Sequence, residues 1–391
     1  MVNYYLYPDD WAYKEDGSTP SVLDGTDGTV RVHTPKFYGK SGSNGNKRWV
    51  RISLVKLDDS WVEIPELLID AYRNTVDNTV SATPKAVSVV NTTEAFRGGG
   101  NRAQFDEYLT TELDTKDAFR SDLGKPRTNV SRANMRTYAT NAGSELLCYE
   151  YYKWIFYWNY VIEYANFNSQ AAYNAELTSD GYRQGGLGPG VTDWSNSATS
   201  WSGYNGTYPI TPCGYCNDIG NFTGIKDLVI PGCTATDGTS TVATHTFKVP
   251  RWRGFDNPFG DIWTNLDGVV IQRTAANEIS SVYTTTDKAE FTDVIGNKTI
   301  AGYEVAQDGY IKEFDLGETA EIIPSSCTGA SITTYMCDYH YCNASSTALR
   351  TLLVGGSALS GGSAGLGYFY SLNGVGYASS NVGFRTLNRV S

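Results

Sequence analysis

The stretch SELLCYEYYKWIFYWNYVIEYANF, residues 144–167, is the longest periodic segment of the 391-residue chain and decides the class of fold. Its apolar residues recur at intervals of three and four, which predicts a helix with one continuous apolar stripe. The stripe consists of Leu147, Tyr151, Trp154, Ile155, Trp158, Ile162 and Ala165. Glu150, Lys153, Asn159 and Glu163 interrupt the segment, and a membrane span tolerates such residues poorly. We therefore expect a helix buried under a sheet or loops, and no membrane insertion.

A second helix is predicted just before it. Ser131 can cap a helix that runs through Met135 and Tyr138 and ends at Gly143, where a left-handed residue closes a helix at little cost. Short alternating or β-rich segments predict strands at 50–54, 244–249, 268–273 and 350–354. The rest is aperiodic and rich in Gly, Ser, Thr, Asn and Tyr. We predict an α+β fold with small antiparallel sheets, two adjacent helices at 131–143 and 144–167, and mostly ordered loops after residue 170.

The amino-acid composition disfavours some classes of function. The formal net charge is −11 and the pI is about 4.8, which argues against nucleic-acid binding as the main task. Charged residues make up only 19%, while Gly (40) and Tyr (28) are abundant, which is typical of a loop-rich globular protein with an aromatic core. Residues 1–28 show weak periodicity and no secretory signal. We expect them to form an arm that docks on another surface.

Two groups of side chains suggest metal sites, and neither pattern is strong. Cys213 and Cys216 have CxxC spacing, but the sequence has no second CxxC, so a structural zinc is disfavoured. Asp256, Asp261 and Asp267 could bind a Ca²⁺ ion through their oxygens. We favour the alternative that these carboxylates face solvent or cap backbone amides, so no cofactor is predicted.

Several strings together resemble a known family. They are VHTPKFY at 32–38, VIEYANFNSQ at 161–170, GNFTG at 220–224, RGFDNPFGDIW at 253–263, LVGGS at 353–357 and NVGFR at 381–385. This order resembles bacteriophage virion proteins with a C-type lectin fold related to formylglycine-generating enzymes. That family includes tail and head fibre receptor-binding proteins and proteins varied by retroelements. We interpret RGFDNPFGDIW as scaffold, with Phe259 and Trp263 filling the core beneath the loops.

The resemblance implies a C-type lectin-like domain over residues 29–391, with a ligand-facing segment at 350–391. Its ligand-binding positions would be Leu359, Ser360, Tyr368, Tyr370, Leu372 and Tyr377, together with the neighbouring Ala358 and Ser363. Tyr and Ser suit an interface, because Tyr offers a large contact area at little rotamer cost. The implied protein is a non-enzymatic virion fibre or receptor-binding protein, assembled in the host cytoplasm. It would be a homotrimer that binds a host surface glycan or protein and docks on capsid or tail proteins through the arm.

Two alternatives remain open at this stage. The chain could be a purely structural head-fibre, decoration or tail-tip protein, which needs interfaces and no ligand chemistry. It could also be an oxidase of the formylglycine-generating type, since Cys337 and Cys342 are spaced like the paired cysteines of those enzymes. In those enzymes, however, the pair follows a GGS-type motif, whereas here it precedes the glycines of the LVGGS string. The order therefore disfavours the oxidase.

Overall fold

The computed structural model describes residues 23–172 and 201–390, without residues 27, 46, 91–123, 221, 236, 332, 333, 335 and 337. Most of the predicted N-terminal arm lies outside the described residues. The fold is mixed α+β, with 14% helix and 35% strand, which confirms the predicted class. Sheets dominate, and the helices are few.

The strands before residue 150 are β1 (Arg31–Thr34), β2 (Phe37–Asn44), β3 (Lys47–Ser53), β4 (Val62–Ile64), β5 (Leu67–Asp70), β6 (Thr75–Asp77), β7 (Lys85–Val87) and β8 (Glu145–Leu146). The strands after residue 201 are β9 (Gly224–Ile230), β10 (Cys233–Thr234), β11 (Thr241–Val242), β12 (His245–Trp252), β13 (Phe255–Asp256), β14 (Trp263–Arg273), β15 (Ser280–Thr284), β16 (Thr299–Glu304), β17 (Gly309–Tyr310), β18 (Glu313–Asp315), β19 (Ile323–Ser326), β20 (Tyr339–Tyr341), β21 (Arg350–Val354), β22 (Phe369–Tyr370), β23 (Val382–Gly383) and β24 (Thr386–Arg389). Loops make up the larger part of the described residues after residue 170, as expected, but sixteen strands, most of them short, lie between them, and many pair with partners distant in sequence.

Three α-helical segments accompany the sheets in the described part of the chain. Helix α1 spans Arg132–Asn141, and Ser131 caps it by accepting a hydrogen bond from the backbone N–H of Asn134. Gly143 has a φ of 72°, as predicted for the residue that ends this helix. Helix α2 runs from residue 149 to residue 164, and its middle turns, Lys153–Trp158, are π-helical. Helix α3 is short, Trp201–Asn205. The 3₁₀ turns are Ser169–Ala172, Asn217–Ile219, Lys288–Glu290 and Gly361–Ser363.

The structure corrects the predicted second helix in two respects. It begins at Tyr149 and not at Ser144, because Glu145–Leu146 pairs instead with the last strand, β24. Its apolar surface is also not a single stripe. Rings on several sides of α2, such as Phe156 and Tyr160, are buried, whereas Ile162 at its end is exposed. A helix covered in this way explains why the sequence pattern is so aromatic.

The largest sheet has eight strands. Seven follow the order β16-β15-β14-β21-β22-β20-β17, and β23 pairs in parallel with β14. β16 and β17 lie at opposite edges of this order, yet only residues 305–308 connect them. The sheet must therefore curl until its edges approach each other. A second sheet, β1-β5-β24-β8, joins the first and last described strands of the chain.

The other predicted strands are mostly confirmed. β21 has the predicted bounds, and the segments predicted at 244–249 and 268–273 lie within β12 and β14 apart from Thr244. The first predicted strand is wrong at its end. Val50 and Ile52 of β3 pack against the core, but Leu54 lies beyond the strand and is exposed.

The sequence strings that suggested a family occupy the core. Phe259 and Trp263 are buried, as predicted for the scaffold of RGFDNPFGDIW. Arg385 of the NVGFR string is also buried, and its guanidinium donates to the carbonyl oxygens of Asp70, Ala71 and Asp256 at 2.9, 2.7 and 2.5 Å. This cation fastens the start of the last strand to the end of β5 and to the central motif, because one buried side chain satisfies carbonyl groups from both.

Candidate functional site

The C-terminal side of the large sheet displays tyrosines on one face. β20 reads Tyr339-His340-Tyr341, and successive side chains on a strand point to opposite faces. His340 is buried, whereas Tyr341 is 38% exposed. The parallel partner β22 pairs Phe369 with His340 and Tyr370 with Tyr341. The rings of Tyr341 and Tyr370 consequently lie together on the outer face, with centroids 5.6 Å apart.

More rings extend this surface into a continuous aromatic patch. The Trp263 ring lies 4.7 Å from Tyr368 and 4.6 Å from Tyr370 between centroids. Tyr339 lies 5.8 Å from Tyr368 and 5.1 Å from Tyr310. Tilted and edge-to-face contacts at these distances stabilise aromatic pairs beyond the area they bury. We call the patch the tyrosine face and define it as Tyr310, Tyr339, Tyr341, Tyr368, Tyr370 and Trp263.

Burial varies across the tyrosine face. Tyr368 is only 8% exposed, and burial raises the pKa of its hydroxyl far above the ordinary value. Tyr370 is half-buried, and its burial raises its pKa to about 12. Tyr341 and the half-buried Tyr310 and Tyr339 complete the accessible part. Tyr368 therefore supports its neighbours, while the other four tyrosines offer contact area.

The structure brings three of the six predicted ligand residues together. Tyr377 packs half-buried against the same hydrophobic cluster as Tyr368 and Tyr370, and its backbone N–H closes a turn onto Gly374. Leu372 follows β22 directly and is also half-buried. Its carbonyl oxygen accepts a hydrogen bond of 2.8 Å from Arg350, which fixes the backbone beside the face.

The remaining predicted residues occupy a different loop. Leu359 is exposed, and the Ser360 hydroxyl accepts a hydrogen bond of 3.0 Å from the backbone of Ser357. This loop packs through the buried Ala358 on a separate hydrophobic cluster, which includes Ile262. Ala358 therefore serves the core and not a surface, in contrast to the sequence prediction.

Sequence reasoning missed Tyr310, Tyr339 and Tyr341. The CDYHYC stretch at 337–342 was analysed for the spacing of its cysteines, although its alternation of Tyr, His and Tyr is the pattern of a half-buried strand. That alternation would have placed Tyr339 and Tyr341 on one face. Nothing local would have identified Tyr310, because only its pairing with Tyr339 across the sheet brings it there.

A charged network lies under the tyrosine face. The Nε2 atom of His340 is 3.0 Å from Glu304, and its Nδ1 atom is 2.7 Å from the carbonyl oxygen of Gln307. A carbonyl oxygen only accepts, so Nδ1 donates, and Nε2 donates to the carboxylate. Burial alone would lower the pKa of His340, but Cys327 and Glu304 together raise it to about 9. The histidine is therefore a buried imidazolium.

This network does not form a nucleophilic triad. The Cys327 sulfur is 3.8 Å from Nδ1 of His340, but that nitrogen already donates its proton to Gln307 and cannot accept one from the thiol. Burial also raises the pKa of the Cys342 thiol to about 12, so this sulfur is not a thiolate at neutral pH. Cys337, the other residue of the proposed oxidase pair, lies outside the described residues.

The CxxC pair is held as two thiols. The Cys213 sulfur donates to the Arg73 carbonyl at 3.5 Å, and the Cys216 sulfur donates to the Val249 carbonyl at 3.6 Å. Burial raises the pKa of both thiols well above the ordinary range. Both sulfurs therefore have backbone partners within the core.

The three carboxylates considered for calcium have protein partners. Asp256 and Asp261 each accept a hydrogen bond from a backbone N–H, at 3.2 and 3.3 Å. Asp267 forms a two-pronged pair with Arg136, at 2.6 and 2.8 Å. Within the described ranges, no group of three His, Cys, Asp or Glu side chains could hold a metal ion. Asp256 and Asp261 thus cap amides, as in the alternative favoured from the sequence, whereas Asp267 pairs with arginine, which the sequence did not predict.

No protein-family model and no curated protein matches this chain. The described part of the chain contains no helix long and apolar enough to cross a membrane.

Proposed function

We propose that the chain is a bacteriophage virion fibre or receptor-binding protein that attaches to the host cell surface without catalysing a reaction. The tyrosine face is the observation that carries this proposal. It presents partly exposed rings next to each other on a rigid sheet, which is the arrangement that binding hot spots require.

The architecture supports a C-type lectin-like domain. Two neighbouring helices, α1 and α2, accompany small sheets, and long ordered segments connect them, as the family resemblance implies. The buried Arg385 and the motif around Phe259 hold these segments together from within, so that both strings are explained as scaffold. Recognition is then left to the outward side chains of β22, in the C-terminal segment, and of β20, which precedes that segment.

The chemistry of the tyrosine face favours binding over catalysis. A tyrosine ring contributes apolar area, and its hydroxyl makes one hydrogen bond, so clustered tyrosines suit glycan or protein surfaces. The titratable groups beneath them, His340 and Glu304, are both buried and satisfy each other. They hold β20 in place and do not reach a ligand on the outer face.

The first experiment asks whether the tyrosine face binds cells. The fluorescently labelled chain is titrated onto a panel of bacterial strains and measured by flow cytometry. We expect saturable binding to at least one strain. Tyr341→Ala and Tyr370→Ala should each weaken it roughly thirtyfold, the equivalent of a hot-spot loss of about 2 kcal/mol. Phe222→Ala removes an exposed ring outside the tyrosine face and is the matched control.

The second experiment tests the virion assignment. Purified particles of the phage whose genome encodes this chain are labelled with an antibody against the chain and imaged in negative stain. The position of the label distinguishes head from tail. Absence of label from the particles would refute the virion assignment. If the labelled chain binds no strain, or if both tyrosine variants bind like the unmodified chain, receptor binding is refuted while virion membership is still decided by the images.

A purely structural virion role is the second candidate, and one observation favours it. β9 is an edge strand of the β13-β12-β9 sheet, and Val229 on it is exposed, as is Phe222 nearby in sequence. Exposed apolar side chains on a strand edge favour contact between subunits. A homotrimer built through this edge would dissociate in the Val229→Lys variant, which analytical ultracentrifugation measures directly.

A further inference from the structure

A second concave site lies apart from the tyrosine face and shares no residue with it. It is a cleft of about 890 Å³, within the size range of small-molecule sites. Strand β3, strands β16 and β18, the middle of α2 and the residues after that helix all contribute to its lining. Its lining residues include Trp49, Trp158, Phe167, Tyr303 and Phe314.

The aromatic rings of the cleft are held in place by contacts below them. The indole N–H of Trp158 donates to the carbonyl of Ala320 at 2.7 Å, and the ring of Phe167 stands edge-on to Trp158 at 6.5 Å. Phe314 packs edge-on against the buried Tyr157 at 5.7 Å. A ligand therefore meets a wall that is already ordered, which reduces the entropy lost on binding.

Other rings in the cleft keep accessible area. Tyr303 is 47% exposed, and Trp49 is half-buried. Trp49 lies over Gly42 of the facing strand, where a side chain would collide with the indole at 2.4 Å. The hairpin of β2 and β3 thus places Trp49 against backbone, and the Arg51 guanidinium lies over the ring, 4.8 Å from its centroid, so both contacts fix the orientation of the ring.

Four charged side chains complete the lining, and their charges cancel. Arg48 and Lys312 contribute two positive charges, and Glu313 and Asp315 contribute two negative charges. Asp315 is already engaged, since its oxygens accept hydrogen bonds from the backbone of Tyr303 and Gly317 at 3.1 and 2.9 Å. A lining with both signs offers donors and acceptors for hydroxyl groups but gives no net attraction to an ion.

We propose that this cleft binds an uncharged oligosaccharide. The faces of aromatic rings carry partial negative charge and attract the C–H groups of a pyranose ring, while the hydroxyls at its edge need both donors and acceptors. Flat rings beside a balanced set of charges meet both needs. A charged ligand would meet like charge on one side, and an apolar ligand would displace water from the charged lining without offering hydrogen bonds in its place.

The cleft is tested with an array of immobilised oligosaccharides, half of them neutral and half carrying carboxylate or sulfate groups. We expect the intact chain to bind neutral members. Trp49→Ala should weaken that binding about tenfold, because it removes one of the rings that line the cleft. Ser325→Trp places a bulky ring at an exposed lining position and should block the cleft without removing any core contact. Phe222→Ala, which removes an exposed ring outside both surfaces, should bind like the unmodified chain.

The controls separate this site from the receptor-binding proposal. Loss of array binding in Ser325→Trp with unchanged cell binding is expected if the two sites are separate. Binding of anionic members only, no binding to the array, or unchanged binding by Ser325→Trp would each overturn the oligosaccharide site. Melting temperatures of Trp49→Ala and Ser325→Trp are recorded alongside, and a correctly folded Ser325→Trp variant decides the question even if Trp49→Ala unfolds.

Discussion

His340 and Glu304 form a buried ion pair that joins two distant parts of the large sheet. The Nε2 and Oε1 atoms are 3.0 Å apart, and both side chains are almost fully buried. Glu304 ends β16 at one edge of the strand order, whereas His340 is in β20 near the other edge. The pair therefore stabilises the curl of the sheet, and it does so directly behind Tyr339 and Tyr341.

This pair predicts a loss of stability at mildly alkaline pH. The pKa of His340 is raised to about 9 from an ordinary value of 6.5, so its contribution is complete below pH 6.5 and lost as the pH rises through 9. The loss should be on the order of 3 kcal/mol in free energy of unfolding. Urea unfolding between pH 6.5 and 9 measures it.

The neutral variant His340→Gln is the control for this effect. It should be less stable than the unmodified chain at pH 6.5 and show a much flatter profile up to pH 9. Above pH 9 both proteins should lose stability, because burial raises the pKa of thiols such as Cys148 and Cys213 in the folded state. Equal slopes for the two proteins below pH 9 would contradict the role of His340.

Two tyrosines of the same face should respond differently to truncation. Tyr368→Ala should destabilise the fold by roughly 3 kcal/mol or more, as other buried aromatic side chains do. Tyr341→Ala should cost under about 1 kcal/mol, since surface substitutions act weakly. The reason is burial: Tyr368 is 8% exposed and packs on Trp263, whereas Tyr341 is 38% exposed. Thermal unfolding of both variants measures the difference, and similar melting temperatures would contradict it.

The buried carboxyl group of Asp338 should make the fold less stable as the pH rises, whereas a carboxylate paired with a cation has the opposite effect. One oxygen of Asp338 accepts a hydrogen bond of 2.7 Å from the backbone of Gly367, and the other has no hydrogen-bond partner among the described residues. Burial raises the pKa of Asp338 to about 7. Its neutral form therefore favours folding, and stability is lost as the pH rises from about 4 through 7.

Asp338→Asn removes that titration with little change in shape. At pH 8 the variant should be more stable than the unmodified chain, and between pH 4 and 7 its stability should change less. Urea unfolding at pH 5 and pH 8 gives the comparison. A variant that is less stable at pH 8 would show that the ionised carboxylate makes a favourable contact. Gly365→Ala should destabilise the fold at either pH, because its Cβ would lie 1.8 Å from the Asp338 oxygen.

The sequence predicted local features well and long-range ones poorly. Helix α1 has its own cap and its own terminal glycine, so its limits could be derived from ten neighbouring residues. Helix α2 began later than predicted, because Glu145 and Leu146 pair with a strand some 240 residues further along the chain. Short strands with polar residues give no local signal of this kind, and they form the majority of the sheets.

In the candidate site, too, residues close in sequence were predicted, while those brought in by long-range strand pairing were missed. Tyr368, Tyr370 and Tyr377 were predicted from the family resemblance, and the structure gathers them in one cluster. Tyr310 joins the same surface only through its pairing with Tyr339. Leu359 and Ser360 belong to another loop, since Ala358 anchors that loop in a different part of the core. The predicted residues are close in sequence and were therefore expected to share one surface, but the structure divides them between two places.

The last prediction concerns metal removal and the pair between Arg136 and Asp267. Both oxygens of the fully buried Asp267 are bonded to the guanidinium of Arg136, at 2.6 and 2.8 Å, so they are not available to a cation. The melting temperature should therefore be the same in excess Ca²⁺ and in excess EDTA. Arg136→Ala should instead cost about 3–5 kcal/mol, because it leaves a buried carboxylate without its partner. Arg136→Lys should retain part of that stability through a single hydrogen bond. A melting temperature that falls in EDTA would contradict the pairing and restore calcium as the partner of Asp267.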